Sequence, residues 1–177
     1  MEQVCVYFQG HHIYNLEDMS LLDSLPNKRQ KTLYKHLEAI GRNYEIKLAV
    51  MDFNQPLRNT VYAVFPEVAI TINPADVKAM IMSYLGDDLG LMNVQEEIAV
   101  SVEGQILTNR EGEISYPDIY NHTTKQAAIC DYEQWQSYIP LGVKCFHHVI
   151  RIIDFYHQEV FNYFEFKNML GIINQKR

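Results

Sequence analysis

Apolar positions along the chain change their spacing several times, and each change predicts a different element. Val4 to Phe8 is an unbroken apolar run of β-branched and aromatic side chains, which predicts a short buried strand ending at Gly10. Leu33, Leu37, Ile40 and Tyr44 then recur at helical spacing. Ser24 is placed to cap that helix, and Pro26 falls in its first turn, where a missing N–H does no harm. The segments 46–53 and 61–66 predict strands joined by the turn-rich NQPLRN, and 67–73 predicts a third strand or a continuation of the second. Asn73-Pro74-Ala75-Asp76 is the clearest helix start: a cap, a proline at the first helical position and a carboxylate at the positive end of the dipole. Val77, Met80, Ile81, Tyr84 and Leu85 supply its buried face, and Gly86 is a natural stop.

Beyond Gly86 the segment 86–97 reads as a loop. Alternation over 97–109, with Glu103-Gly104 at a tight turn, predicts two strands, and 113–120 a further short one. From Thr124 the pattern is helical again, ending before Pro140. A longer amphipathic helix is expected over about 143–164, with Val143, Phe146, Ile150, Ile153, His157, Val160, Phe161 and Phe164 on one broad face. The run 169–177 fits helix or strand equally. Strands in the middle and helices at both ends predict one α+β domain over 1–177. Its sheet is expected to be mainly antiparallel, with about five to six strands, packed by N-terminal and C-terminal helices.

Composition adds that this is a folded chain: 47% of its 177 residues are hydrophobic and 12% aromatic, too many for a disordered one. No apolar run is long enough to span a membrane, and no basic-then-apolar leader opens the sequence. VYFQG near the start resembles a protease-cleavable tag, but Val4 stands where such a tag needs glutamate, so the run is read as native. Cys5, Cys130 and Cys145 are odd in number and widely spaced, which suits reduced thiols and predicts a cytoplasmic protein. The net charge of −7 is uneven: residues 66–140 carry twelve acidic against three basic side chains. That bias disfavours nucleic acid as a partner and favours a basic protein.

Nucleotide-binding and common hydrolase motifs are absent: there is no P-loop, no dinucleotide fingerprint, no H-E-x-x-H and no G-x-S-x-G. Four constellations remain. Arg151-Ile-Ile-Asp-Phe-Tyr-His157 resembles the R-x(4–6)-H motif of the HEPN ribonuclease family over one helix. The resemblance implies metal-free cleavage of a phosphodiester, with His157 shuttling a proton and Arg151 stabilising charge on the phosphate. His147-His148 are adjacent and so diverge by about 100° on a helix, which suits a surface polar cluster better than a metal site. His11-His12 read as turn residues at the rim of the sheet. The helix carrying Lys28, Lys31, Lys35 and Arg42, with Tyr34 and His36, is of a kind that can contact phosphate, but against the net negative charge it reads first as a solvated basic face.

Around 87–97 the acidic Asp87, Asp88, Glu96 and Glu97 surround Leu89 and Leu91, apolar anchors with a charged rim. The leading expectation is a non-enzymatic, immunity-type protein whose acidic surface, built on these six residues, neutralises a basic partner such as a nuclease toxin. No cofactor or metal is expected. The alternatives are a HEPN-like or other nucleic-acid-processing enzyme using Arg151 and His157, and a structural or regulatory subunit.

Overall fold

A computed structural model describes residues 2–27, 29–91, 119–139 and 144–175. The chain folds as two compact units, one formed by residues 1–76 with 158–177 and the other by 77–157.

The first unit is built on a sheet of five strands, β1 (Glu2–Gln9), β2 (His12–Asn15), β3 (Leu21–Ser24), β4 (Tyr44–Met51) and β5 (Ala69–Ile72), in the order β3-β2-β1-β4-β5. β1 turns at Gly10, whose positive φ of 60° is the left-handed geometry glycine tolerates, and β2 returns antiparallel, pairing Phe8 with Ile13 and Gln9 with His12. β3 adds a second antiparallel pair. Helix α1 (Gln30–Asn43) then carries the chain back, so that β4 runs parallel to β1, and helix α2 (Gln55–Val64) does the same between β4 and β5.

The sheet is therefore mixed, with two antiparallel and two parallel pairs, and the mainly antiparallel expectation is only partly right. Part of the difference, the parallel pairing of β5 with β4, traces to α2. Val61–Phe65 is rich in strand-forming residues, yet Asn54 accepts a hydrogen bond from the Leu57 amide (3.0 Å), Pro56 sits in the first turn, and Leu57, Thr60 and Val61 bury one face. A helix there returns the next strand parallel, where a strand would have made a hairpin. Ser24 likewise ends β3 instead of capping α1, whose N-cap position is Arg29, and Tyr44 opens β4.

Alternation along β1 and β4 assigns the two faces of the sheet. Cys5, Tyr7, Leu48 and Val50 cluster with Leu16 and with Leu170 of helix α7 (Tyr163–Gln175). Val4, Val6, Ala49 and Met51 point the other way, where α1 packs on β4 and α2 on α1. Helices on both faces make a three-layer unit.

The second unit holds most of helix α3 (Pro74–Leu91), a short 3-10 turn (Ile119–Asn121), α4 (Lys125–Tyr138) and α5 (Lys144–Phe155). α3 starts as expected: the Asn73 side chain accepts from the Ala75 amide at 3.0 Å, and Asp76 lies in the first turn. It does not stop at Gly86 but continues to Leu91. One glycine inside a helix costs only about 1 kcal/mol relative to alanine, and Leu85 and Leu89 keep helical spacing across it. Val77 and Ile81 are buried, whereas Tyr84, expected inside, is exposed. Thr124 caps α4 through the Ala127 amide (3.2 Å). Its Tyr132 and Trp135 stack at 6.1 Å, and Trp135 meets Phe146 of α5 edge-on at 5.7 Å. The expected strands over 97–109 lie outside the described residues, as does most of 113–120, whose Ile119 and Tyr120 belong to the 3-10 turn.

The single helix expected over 143–164 is broken at Tyr156 and Asn162 into α5, α6 (His157–Phe161) and α7. No glycine or proline lies between 144 and 164. The second break coincides with a tertiary demand: the buried Asn162 turns its side chain to the Ile70 carbonyl, donating from Nδ2 at 2.9 Å.

Candidate functional site

Each unit has a polar network beneath its surface. In the first, Glu159 of α6 is wholly buried. Its Oε1 accepts from Arg58 Nε at 2.5 Å and from the Tyr62 hydroxyl at 3.1 Å, both on α2. Oε2 has no hydrogen-bond partner among the described residues. Burial, and then the Glu159 charge, push the Tyr62 phenol up to about 12. A carboxylate this enclosed and already tied to a cation acts as a brace between helices.

A three-residue segment of the same unit is held by three histidines. His36 Nδ1 on α1 donates to Asp23 Oδ2 at 2.7 Å, His12 Nδ1 lies 2.9 Å from Ser24 Oγ, and His11 Nδ1 donates to the Leu25 carbonyl at 3.2 Å. The carboxylate and the hydroxyl thus address different imidazoles, an arrangement unlike a nucleophile–base–acid relay, in which one imidazole bridges the two. His11 lies in the turn after β1 as expected, whereas His12 is not a turn residue but opens β2, opposite Gln9 and Ser24. An open groove of about 270 Å³ at the start of β4 is lined by Gly41, Tyr44, Glu45, Lys47, Phe65 and Glu67 among others. Glu45 there is paired with Lys47 and also accepts from Gln3 at 3.1 Å, and these two bonds hold its carboxyl below the usual range.

In the second unit the buried Tyr132 hydroxyl donates to Asp154 Oδ1 at 2.8 Å, and Gln136 donates to Oδ2 at 3.1 Å. Burial first, then the Asp154 bond, raises the Tyr132 phenol far above its ordinary value. With folded values above the unfolded one, both Tyr62 and Tyr132 contribute stability that is fully present below about pH 10 and drains away above it. An alkaline absorbance titration should show delayed ionisation of the Tyr62 phenol, and of the Tyr132 phenol only as the chain unfolds. Tyr132→Phe should remove one late-ionising phenol and make the alkaline loss of stability less steep. Loss of an early-ionising phenol in that variant would refute the assignment.

The residues singled out in the sequence are distributed as follows. Asp87, Asp88, Leu89 and Leu91 fall in the last turns of α3, while Glu96 and Glu97 lie outside the described residues. Just before them, Met82 and Tyr84 are exposed, the Tyr84 ring 5.7 Å from that of His148. His147 is half-buried and His148 exposed, so the pair diverges. Arg151 is exposed near the end of α5 and His157 half-buried at the start of α6, with the helix break between them. The Asp154 carboxylate between them is taken up by Tyr132 and Gln136.

Among the described residues, no cluster of three or more His, Cys, Asp or Glu side chains could hold a metal ion, and no helix is long and apolar enough to cross a membrane. Cys5 and Cys130 are free thiols. Sequence reasoning missed the Glu159 brace. The available signal was a carboxylate between His157 and Val160-Phe161 on the broad apolar face, at a position that only a buried partner would make tolerable.

The two units also differ in charge. Residues 77–157 hold eleven acidic against five basic side chains, a net −6, while the remainder of the chain holds eleven against ten, a net −1. No protein-family model, no curated protein and no solved structure matches the chain.

Proposed function

We propose that the protein is a non-enzymatic binding protein whose acidic second unit engages and neutralises a basic partner, of which a nuclease toxin is the type. The observation that carries this reading is the charge division: nearly all of the net negative charge belongs to residues 77–157. The exposed Met82 and Tyr84 on α3 add apolar anchors of the kind that interface centres use, ahead of Asp87 and Asp88. Free cysteines are in keeping with a reducing compartment such as the cytoplasm.

The test is association with a basic protein captured from the native host, followed by stopped-flow kinetics. Asp87→Lys with Asp88→Lys, or Glu96→Lys with Glu97→Lys, should slow association about tenfold and weaken its salt dependence, because rim charges act mainly on encounter. Unchanged association rates in both pairs would remove this surface from the interface, and capture of no basic partner would overturn the reading.

One observation favours a second reading. Arg151 is exposed and forms no ion pair among the described residues, so it is available to a phosphate, as the HEPN resemblance implies. RNA cleavage lost in both Arg151→Ala and His157→Ala would establish that enzyme; cleavage that survives either change would exclude this pair.

A further inference from the structure

The outer face of α1 departs from the rules that govern the rest of the fold. Lys31, Lys35 and Arg42 lie within about 40° of one another around the helix, opposite the buried Leu33, Leu37 and Ile40. They run about 16 Å along it. All three are exposed, as is Arg29 at the N-cap, and none of the four enters an ion pair among the described residues. Glu38 is the one carboxylate on the helix. Tyr34, 43% exposed, stands beside the stripe with its ring available.

The placement is locally unfavourable. Cations at a helix N-terminus oppose the dipole, yet Arg29 and Lys31 occupy the cap and first turn, no acid accompanies them there, and no side chain caps the helix. Residues that break a local rule without structural compensation mark function more often than accident. At the N-terminal end the positive pole of the helix and the Arg29 and Lys31 charges add in sign, and Lys35 and Arg42 carry the positive charge onward along the helix.

We infer that the outer stripe of α1, comprising Lys31, Lys35 and Arg42 with Tyr34 beside it, is a docking surface for single-stranded nucleic acid. The cations track successive phosphates, and Tyr34 stacks on an unpaired base. A single strand is chosen over a duplex because only an unstacked base offers its face to an exposed ring. Nucleic acid is chosen over an acidic protein because the aromatic ring beside the cation row has a defined role there. The net charge of −7 does not forbid this, since at physiological salt a charge is screened beyond about 8 Å and the stripe acts locally. This surface owes nothing to the acidic second unit, and its test stands or falls apart from that of the proposed function.

Fluorescence anisotropy with a labelled oligonucleotide of about twelve nucleotides tests it, using the full chain at rising salt. Contact with three phosphates predicts a log K against log[salt] slope of about −2 for a single strand. Lys31→Gln with Lys35→Gln should reduce that slope by about 1.4. Tyr34→Ala should weaken binding at least fivefold with the slope unchanged. Every substituted side chain is exposed, and circular dichroism checks that the fold persists. No binding at about 20 mM salt, where such contacts are strongest, would overturn the inference. So would duplex DNA or polyglutamate binding as tightly as the single strand with no effect of Tyr34→Ala, since that pattern describes a general anion surface.

Discussion

Arg58→Met is expected to cost about 3–5 kcal/mol of folding stability at neutral pH, far more than the loss of an exposed ion pair, which is worth at most about 1 kcal/mol. The reason lies in what remains. Glu159 is wholly buried, and without Arg58 only the Tyr62 hydroxyl would address its carboxylate among the described residues. Taking the carboxylate away as well relieves most of the penalty: Arg58→Met combined with Glu159→Leu should return to within about 1–2 kcal/mol of the parent, because a buried pair and an apolar replacement of similar volume are often nearly equal in energy. Urea denaturation of the parent, both single variants and the double variant gives the coupling directly. Single costs that simply add in the double variant would show that the brace contributes nothing as a pair.

That brace also shows where reading the sequence stops. Strand β1, the Leu33-Leu37-Ile40 stripe, the Asn73-Pro74 helix start and the helix after Thr124 are all legible, because each is specified by residues within one or two turns of one another. The hairpin strands β2 and β3 are not, since four residues each give too little alternation to recognise. In α2 the strand-forming residues of Val61–Phe65 mask the Asn54 cap and Pro56, and the parallel pairing of β5 with β4 is hidden with them. The Glu159–Arg58 contact joins residues 101 positions apart, and the break at Asn162 serves a carbonyl 92 positions away. Nothing local announces either. Of the candidate site, the charge bias is plain from the sequence, but the extension of α3 through Asp87 and Asp88 depends on a helix tolerating Gly86.

Leu170→Ala should be the more revealing of the large core truncations. Leu170 of α7 is 3% exposed and closes the sheet face that carries Cys5, Tyr7, Leu48 and Val50, so deleting its side chain should cost about 2–5 kcal/mol. Cys5 reports on that face from within. Its thiol is buried, and burial followed by the Glu17 charge pushes it up, so it should react slowly near pH 8, while the exposed Cys130 reacts at once. With Cys130 and Cys145 replaced by serine, the labelling rate of Cys5 measures how often α7 leaves the sheet. Each 1.4 kcal/mol lost from the α7 contact should raise that rate about tenfold if α7 opens by itself. Leu33→Ala provides the contrast, because Leu33 is equally buried but belongs to α1 on the opposite face. At matched loss of global stability, Leu170→Ala should speed Cys5 labelling more than Leu33→Ala does. Equal acceleration would mean that Cys5 is reached only by global unfolding, and that α7 is as firmly part of the cooperative unit as the strands it covers.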